Sequence, residues 1–543
     1  MRNRWSWVGA AFLVMCGFPA GEASAADLGP AGGGRSVAPA GDAKALARSI
    51  DAYFRARWDA AHVRPAAPAD DAEYLRRVYL DLVGKIPTAA EARDFLDDPG
   101  PDKRARLVDG LLDSSAYLTR ATEIYRAMLL PEADSDAQVR GLAPTFEAWL
   151  RKRVADDAGY DKIVREVLTV KFGSRGRRGG NAFDPRAEPS PLAYYVAKEA
   201  KPENLAANAA RVFLGLRLEC AQCHNHPFAQ WKREEFWGMA AFFAGVGKQG
   251  KDDGLGPIRE LPNLHELTIP GTTRIVPASF LGGKAVDWRS RAGGRELLAD
   301  WVTAPDNPYF ARAAVNRAWA RFFGVGLIEP FDDMTDAGPE SQPELLDALA
   351  RAFREHDYDL KYLIRAITAS RPYALTSAVG RSELAPAHLF AAMPVRTLSP
   401  DQLFDSLVQA TGIRAGPGRE PFFDGDSARS RFLELFADRD ERPTEGQTSI
   451  LQALALMNGR LITDATSVAT GDTLAAVAEV PYLDTPGRIE TLYLAALARR
   501  PRADEMSLMS GYVDRCKTES DRSNALADVF WALLNSPEFR FNH

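Results

Sequence analysis

Cysteine is scarce in this chain: four occur in 543 residues. So few exclude a disulfide-framed scaffold, which packs several paired cysteines into a short chain. Charge of one sign is scarce too, with 67 Lys and Arg against 73 Asp and Glu and a formal net charge of −6. Neither a nucleic-acid footprint nor a polybasic membrane patch stands out in so even a balance, and no nucleic-acid partner is expected. Past the N-terminus no run approaches the ~20 apolar residues that a membrane helix requires. A nucleophile elbow, a phosphate loop and a zinc-protease helix motif are all missing. What is present is a chain with 46% apolar residues, enough to bury real cores, and a length that suggests two or three domains.

The N-terminus bears on the compartment. Arg2 and Arg4 precede an apolar run from Val8 to Met15, and Ala23-Ser24-Ala25 follows a short polar stretch. A charged start, an apolar run too short to span a bilayer and a small-x-small site predict a Sec-type signal peptide over residues 1–25. Cys16 invites lipid anchoring, but Met15 stands where a small residue is needed, so anchoring is the weaker reading. The expected location is the periplasm or the extracellular space, with no integral membrane segment after cleavage. Residues 26–42, rich in Gly, Ala and Pro, read as a flexible linker.

From there the patterning is helical. Leu46, Ile50, Phe54 and Trp58 share one face of a first helix, and a second spans roughly Asp70 to Leu82. Thr88 with Glu91 makes a capping box for a third, and Asp102 to Leu112 forms a fourth. Helices resume over Thr145–Ala155 and Asp161–Val170, then over Pro202–Leu218 and Trp231–Phe243. Gly173 to Gly180, between them, reads as a solvated Gly/Arg-rich loop. Leu267–Ile269 and Arg274–Val276 look like a small hairpin around Pro270-Gly271. Further helices follow from Gly294 onward, one of them announced by Ser399, Pro400 and Gln402. The expectation is a mostly α protein: a helical domain over 43–250, a connector with a short β-hairpin over 251–290, and a helical C-terminal domain over 291–543.

Two of the three cysteines after residue 25 fall in one motif, Cys220-Ala-Gln-Cys223-His224. Its spacing is that of covalent haem attachment: two thiols three positions apart add to the two vinyl groups of a haem, and the next histidine serves as proximal ligand. The cofactor expected is haem c, held by Cys220, Cys223 and His224. Three alternatives stay open: a thioredoxin-like disulfide, a reduced pair, or zinc or another transition metal bound by Cys220, Cys223 and His226. His226 cannot reach the iron that His224 binds, and reads as a propionate partner or a ligand to a second metal. Phe228, Trp231, Phe236, Trp237, Phe242 and Phe243 crowd the residues that follow, either as walls for a haem or as plain core. For a sixth ligand the candidates are Met239, His265, His356, His388 and His543. Met239 sits in an apolar helix where methionine is commonly filler, and His543 ends a tail that Phe539 and Phe541 could anchor.

At this point the sequence resembles a known family. Arg211-Val-Phe-Leu-Gly, then Cys220 to Phe228, then Trp231 and Phe236 to Phe243 resemble the planctomycete cytochrome-c-like domain, as do Arg76 to Leu82 and Pro101 to Arg104. The C-terminal half resembles the planctomycete-specific domain usually fused to it, through Pro305 to Pro308, Val315-Asn316-Arg317, Phe331-Asp332-Asp333, Pro343 to Leu346, Gln452 to Leu454 and Ala532 to Ser536. The closing Phe-x-x-Asn-His is similar to the family's as well. Both are domains of unknown function, and the cytochrome label rests on the Cys-x-x-Cys-His motif. The resemblance implies an exported bacterial protein.

Asn316, Arg317, Asp332, Asp333 and Asp336 are the other polar concentration: a cation or substrate site, or, as the simpler reading, a turn capped by the aspartates with Arg317 paired to one of them. The functional expectations are a c-type haem protein that transfers electrons to a periplasmic redox partner or serves as the haem component of an oxidoreductase; a haem- or metal-dependent enzyme on a small molecule or surface polymer; and a non-catalytic envelope scaffold.

Overall fold

The apolar stripe of the first helix, Ala40–Ala60, is buried against residues far along the chain. Phe54 stacks at 5.9 Å on Trp319 and meets Phe390 edge-on at 5.4 Å, while Trp58 Nε1 donates to the Leu389 carbonyl at 2.8 Å. Residues expected in different domains thus share one core. The computed structural model describes residues 40–172, 188–248, 258–261, 263–283, 286, 288, 293–335, 338, 341–380, 385–413, 428–436, 444 and 449–543. The expected signal peptide with Cys16, residues 26–39 of the linker, the Gly173–Gly180 loop and Asp336 lie outside them.

The described part is mostly α, as the patterning predicts. Two apolar cores organise it. The larger gathers residues from Ala43 to Met393, with Leu494 and Ala498 from further on. The smaller gathers residues from Leu398 to Phe539 and takes Leu80 and Ile86 from the N-terminal part. The Asp71–Leu82 helix lies between them: Leu75, Val78, Tyr79 and Leu82 enter the larger core and Leu80 the smaller. Every residue of that helix from Tyr74 to Leu82 is buried, including Arg76, Arg77 and Asp81.

Sheet is confined to three short antiparallel pairs among the described residues. Strand β1 (Val246–Lys248) pairs with β2 (Ile258–Glu260). Strand β3 (Glu266–Thr268) pairs with β4 (Ile275–Pro277), the hairpin expected from the sequence. Strand β5 (Arg396–Thr397) pairs with β6 (Phe541–Asn542), which fastens the C-terminal tail.

The helical expectations need correction at some ends and joins. A helix over Ser115–Leu129 was not expected, and the next begins at Ala137 and carries Pro144 through to Ala155. The single helix expected over Pro202–Leu218 is α-helical only to Ala209, continues as a π turn over Ala210–Leu214 and stops at Gly215, whose φ of 65° ends the helix with a left-handed residue. The Trp231–Phe243 helix begins at Arg233, and its last three residues, Ala241–Phe243, tighten into a 3-10 turn.

Candidate functional site

The approach to the cysteines is built jointly by both halves of the chain. At Gly215 a side chain has no room: a Cβ there would lie 2.8 Å from Met334 Cε and 3.2 Å from Ala313 Cβ. The Met334 amide donates to the Gly215 carbonyl at 2.8 Å. The buried Asp332 carboxylate accepts from Arg211 Nε at 2.6 Å on one oxygen, and from Arg217 Nε at 3.1 Å and Nη2 at 2.8 Å on the other. Burial works against the charge on Asp332, but the Arg211 and Arg217 guanidiniums outweigh it and hold the carboxyl below its usual range. Arg317 bonds the Val212 carbonyl at 3.0 Å, so it does not take the aspartate as a hydrogen-bond partner. Asp333 caps its own turn by accepting from the Thr335 amide at 3.3 Å. The 331–335 loop therefore clamps the segment that delivers the motif.

The motif itself starts as a 3-10 turn over Glu219–Gln222. Cys220 lies within this turn and Cys223 caps its end. Both thiols are exposed and neither is in a disulfide, while Ala221 between them is fully buried. The Arg233–Ala240 helix holds the turn from behind: Trp237 Nε1 donates to the Gln222 carbonyl at 3.0 Å and Arg233 Nε to the same oxygen at 3.2 Å. The Arg233 amide donates to Asn225 Oδ1 at 3.0 Å.

The two histidines of the loop are oriented oppositely. His224 is exposed, with Nδ1 2.7 Å from the Asn225 carbonyl. A carbonyl can only accept, so Nδ1 donates in this contact, and Nε2 makes no hydrogen bond among the described residues. His226 Nδ1 instead accepts from the Ala229 amide at 2.9 Å and the Phe228 amide at 3.3 Å, and its own amide reaches the Trp231 carbonyl at 2.8 Å. His226 closes the loop. Among the described residues no group of three His, Cys, Asp or Glu side chains is placed to hold a metal ion.

The aromatic residues divide. Trp231, Phe236, Trp237, Phe242 and Phe243 are core, and Met239, 1% exposed, is packed with them. Phe228 alone of this set faces solvent, 92% exposed beside the cysteines. Two accessible thiols followed by an exposed imidazole are the donor types that a haem bonded through thioethers would require.

The remaining candidates lie in other settings. His265 stacks on Trp288 at 4.0 Å and His356 on Tyr362 at 3.7 Å. His388 sits in a 3-10 turn whose carbonyl accepts from Gln342. His543 lines a cleft with Glu73, Arg76, Arg499 and Glu538, and no residue of 219–232 is among the lining side chains. Its carbonyl accepts from Arg77 Nε at 3.1 Å. Asn316 is fully buried and holds the 326–331 loop, accepting from the Leu327 amide at 2.7 Å and donating to the Ile328 carbonyl at 2.8 Å.

Sequence reasoning missed the polar cluster on the Asp71–Leu82 helix. Asp81 accepts from Tyr373 Oη at 2.8 Å, from Arg396 Nη2 at 3.0 Å and from Asn542 Nδ2 at 2.9 Å. Arg76 donates to the carbonyls of Ala496 and Phe539 at 3.2 and 2.8 Å. Arg77 joins Glu73 at 2.7 Å and the Leu375 carbonyl at 3.0 Å. The available signal was the placing of Arg76, Arg77 and Asp81 inside an otherwise apolar helix.

The fold and the site together define a mostly helical protein that presents a thiol–thiol–imidazole turn on its surface. Residues 49–248 match the PSCyt2 family model, described as a protein of unknown function (DUF1549), and residues 294–432 match PSD1, a protein of unknown function (DUF1553). These are the planctomycete cytochrome-c-like and C-terminal domains that the motifs resemble, in the order expected. No curated protein and no solved structure matches the chain.

Proposed function

We propose that this chain is an exported c-type haem protein that acts in electron transfer or as the haem component of a periplasmic oxidoreductase. The observation that carries the reading is the exposure of both Cys220 and Cys223, at a 3-10 turn directly before an exposed imidazole whose Nδ1 is bonded to the Asn225 carbonyl. In this reading Cys220 and Cys223 would hold the group through thioether bonds, and His224 would supply a ligand to its iron. A haem supplies a one-electron couple. Trp237 and Arg233 fix the turn by bonding the Gln222 carbonyl, and Asp332 fixes its approach through Arg211 and Arg217. Met239 is filler in this account, since it is packed in the core, and His543 belongs to the tail clamp. The signal-like residues 1–25 support export, which places the protein where c-type maturation occurs.

The test is expression with a c-type maturation system, followed by a pyridine haemochrome spectrum of the denatured chain. Colour that survives acid-acetone extraction, and is absent from the Cys220→Ala/Cys223→Ala variant, is expected. A colourless protein from a maturation-competent host would overturn the reading. So would colour that survives denaturation in the double variant.

A further inference from the structure

A second place in the molecule carries unused binding chemistry, and it does not depend on the haem reading. The Ser115–Leu129, Tyr160–Leu168, Phe310–Phe323 and Leu360–Thr368 helices surround a partly open pocket of about 150 Å³. Most of its wall is apolar, with Leu363 and Ile364 on one side. Into it face two arginines one helical turn apart, Arg317 and Arg321, and two tyrosines, Tyr125 and Tyr160.

The polar groups of this pocket make few hydrogen bonds within the protein. Arg317 bonds only carbonyl oxygens, those of Val212 at 3.0 Å and Arg211 at 3.4 Å. Arg321 makes one bond, from Nη2 to the Asp81 carbonyl at 2.6 Å. Among the described residues neither guanidinium is paired with a carboxylate, and neither tyrosine hydroxyl has a hydrogen-bond partner, although Tyr160 is only 4% exposed. Asp332 and Asp81 act on these arginines only across a distance, and Arg120 adds a further positive charge beside Arg321. Burial depresses the pKa of both arginines and pushes Tyr160 up to about 12; the tyrosine is buried and the two arginines are half-buried. A half-buried guanidinium with no paired carboxylate can give charge-assisted hydrogen bonds to an anion brought to it.

We propose that this pocket binds a small organic carboxylate with an apolar body of about one ring, its carboxylate taken by Arg317 and Arg321 and the Tyr160 hydroxyl. The size argument is direct, since an apolar cavity of about 150 Å³ holds one benzene. The planar guanidinium fork suits a carboxylate, and the apolar wall disfavours a fully hydrated inorganic anion. Ala318 lies on the same wall between the two arginines.

The experiment is a fluorine NMR titration of the full chain with 4-fluorobenzoate, with 4-fluorotoluene and sulfate as controls. A saturable shift is expected at millimolar ligand, displaced by unlabelled benzoate and not by sulfate at equal ionic strength. Arg321→Met should weaken binding at least about tenfold, the loss of a hydrogen bond to a charged group. Ala318→Phe should abolish it by filling the space while keeping both charges, and it decides the matter if the arginine variant does not fold. The proposal is overturned by no saturable shift, by sulfate competing as well as benzoate, by 4-fluorotoluene binding as tightly as 4-fluorobenzoate, or by unchanged binding in a folded Ala318→Phe protein.

Discussion

The cysteine turn and the Asp71–Leu82 helix treat their polar groups in opposite ways. At the turn the reactive groups face water, and the protein spends its hydrogen bonds on the backbone beneath them, chiefly at the Gln222 carbonyl. On the helix the charged groups themselves are buried and bind the two cores to each other. Asp81 reaches Tyr373 of the larger core's neighbourhood, while Asn542 and Arg396 bring it the β5–β6 pair. The first region is arranged to be reached. The second is arranged to hold, and substitutions should separate the two.

The largest effect is expected at Asp81. Removing its carboxylate by Asp81→Ala leaves the Arg396 guanidinium buried without its counter-charge and strands the Tyr373 hydroxyl and the Asn542 amide. Breaking a buried pair by deleting one partner costs about 3–5 kcal/mol, because the other charge stays buried. Equilibrium unfolding in denaturant should register a loss of that size. A loss under about 0.5 kcal/mol, the ordinary range for substitutions away from such features, would deny the helix its joining role.

That contrast also explains what could be read from the sequence. The Thr88–Glu91 and Ser399–Gln402 capping boxes were legible because they are local: each is closed within three residues. The cysteine motif was legible for the same reason. The Ser115–Leu129 helix was hidden because its buried side is Tyr117, Ala121, Thr122 and Leu129, and Thr119 and Thr122 satisfy their hydroxyls on carbonyls four residues back, so the apolar period is faint. Pro144 reads as a break and is tolerated within a helix. The β5–β6 pair and the Asp81 cluster join residues far apart in the chain, 461 positions for Asp81 and Asn542, and no local pattern encodes such a pairing. The Asp332 clamp was half legible: the aspartates were noticed, but their partners Arg211 and Arg217 come from the other half of the chain.

A smaller effect should appear with pH at His543. Burial, then the charge on Arg76, lowers its pKa from the ordinary value of 6.5, so the fold favours the neutral imidazole. Between the folded and unfolded values the unfolded chain binds more protons, and stability rises with pH across that window. The contribution is complete above the unfolded value and is lost as pH falls from 6.5 toward the lower folded one. His265 shifts the same way through burial, so the informative quantity is the difference between the wild type and His543→Gln. Thermal unfolding measured on either side of that window should show a shallower acid loss in the variant. Identical losses in the two proteins would mean that His543 titrates alike whether folded or not.

The smallest effect on stability is expected where the proposed chemistry is greatest. Cys220 and Cys223 are exposed and close no disulfide, and the bonds that fix their turn are made to the Gln222 carbonyl. Replacing both, as Cys220→Ser/Cys223→Ser, removes none of those bonds. Unfolding of the haem-free protein should therefore move by no more than about 0.5 kcal/mol, the usual range for surface positions. Trp237→Phe makes the opposite change, deleting the indole bond to Gln222 while leaving the thiols in place, and should cost about 1 kcal/mol for the lost hydrogen bond. The expected order is thus inverted between the two readouts, with the cysteine variant stable and unable to hold a thioether-bonded group, and the tryptophan variant weaker yet still able to. A double serine variant that unfolds more readily than Trp237→Phe would make the turn a structural element, and the contrast between the two regions would not stand.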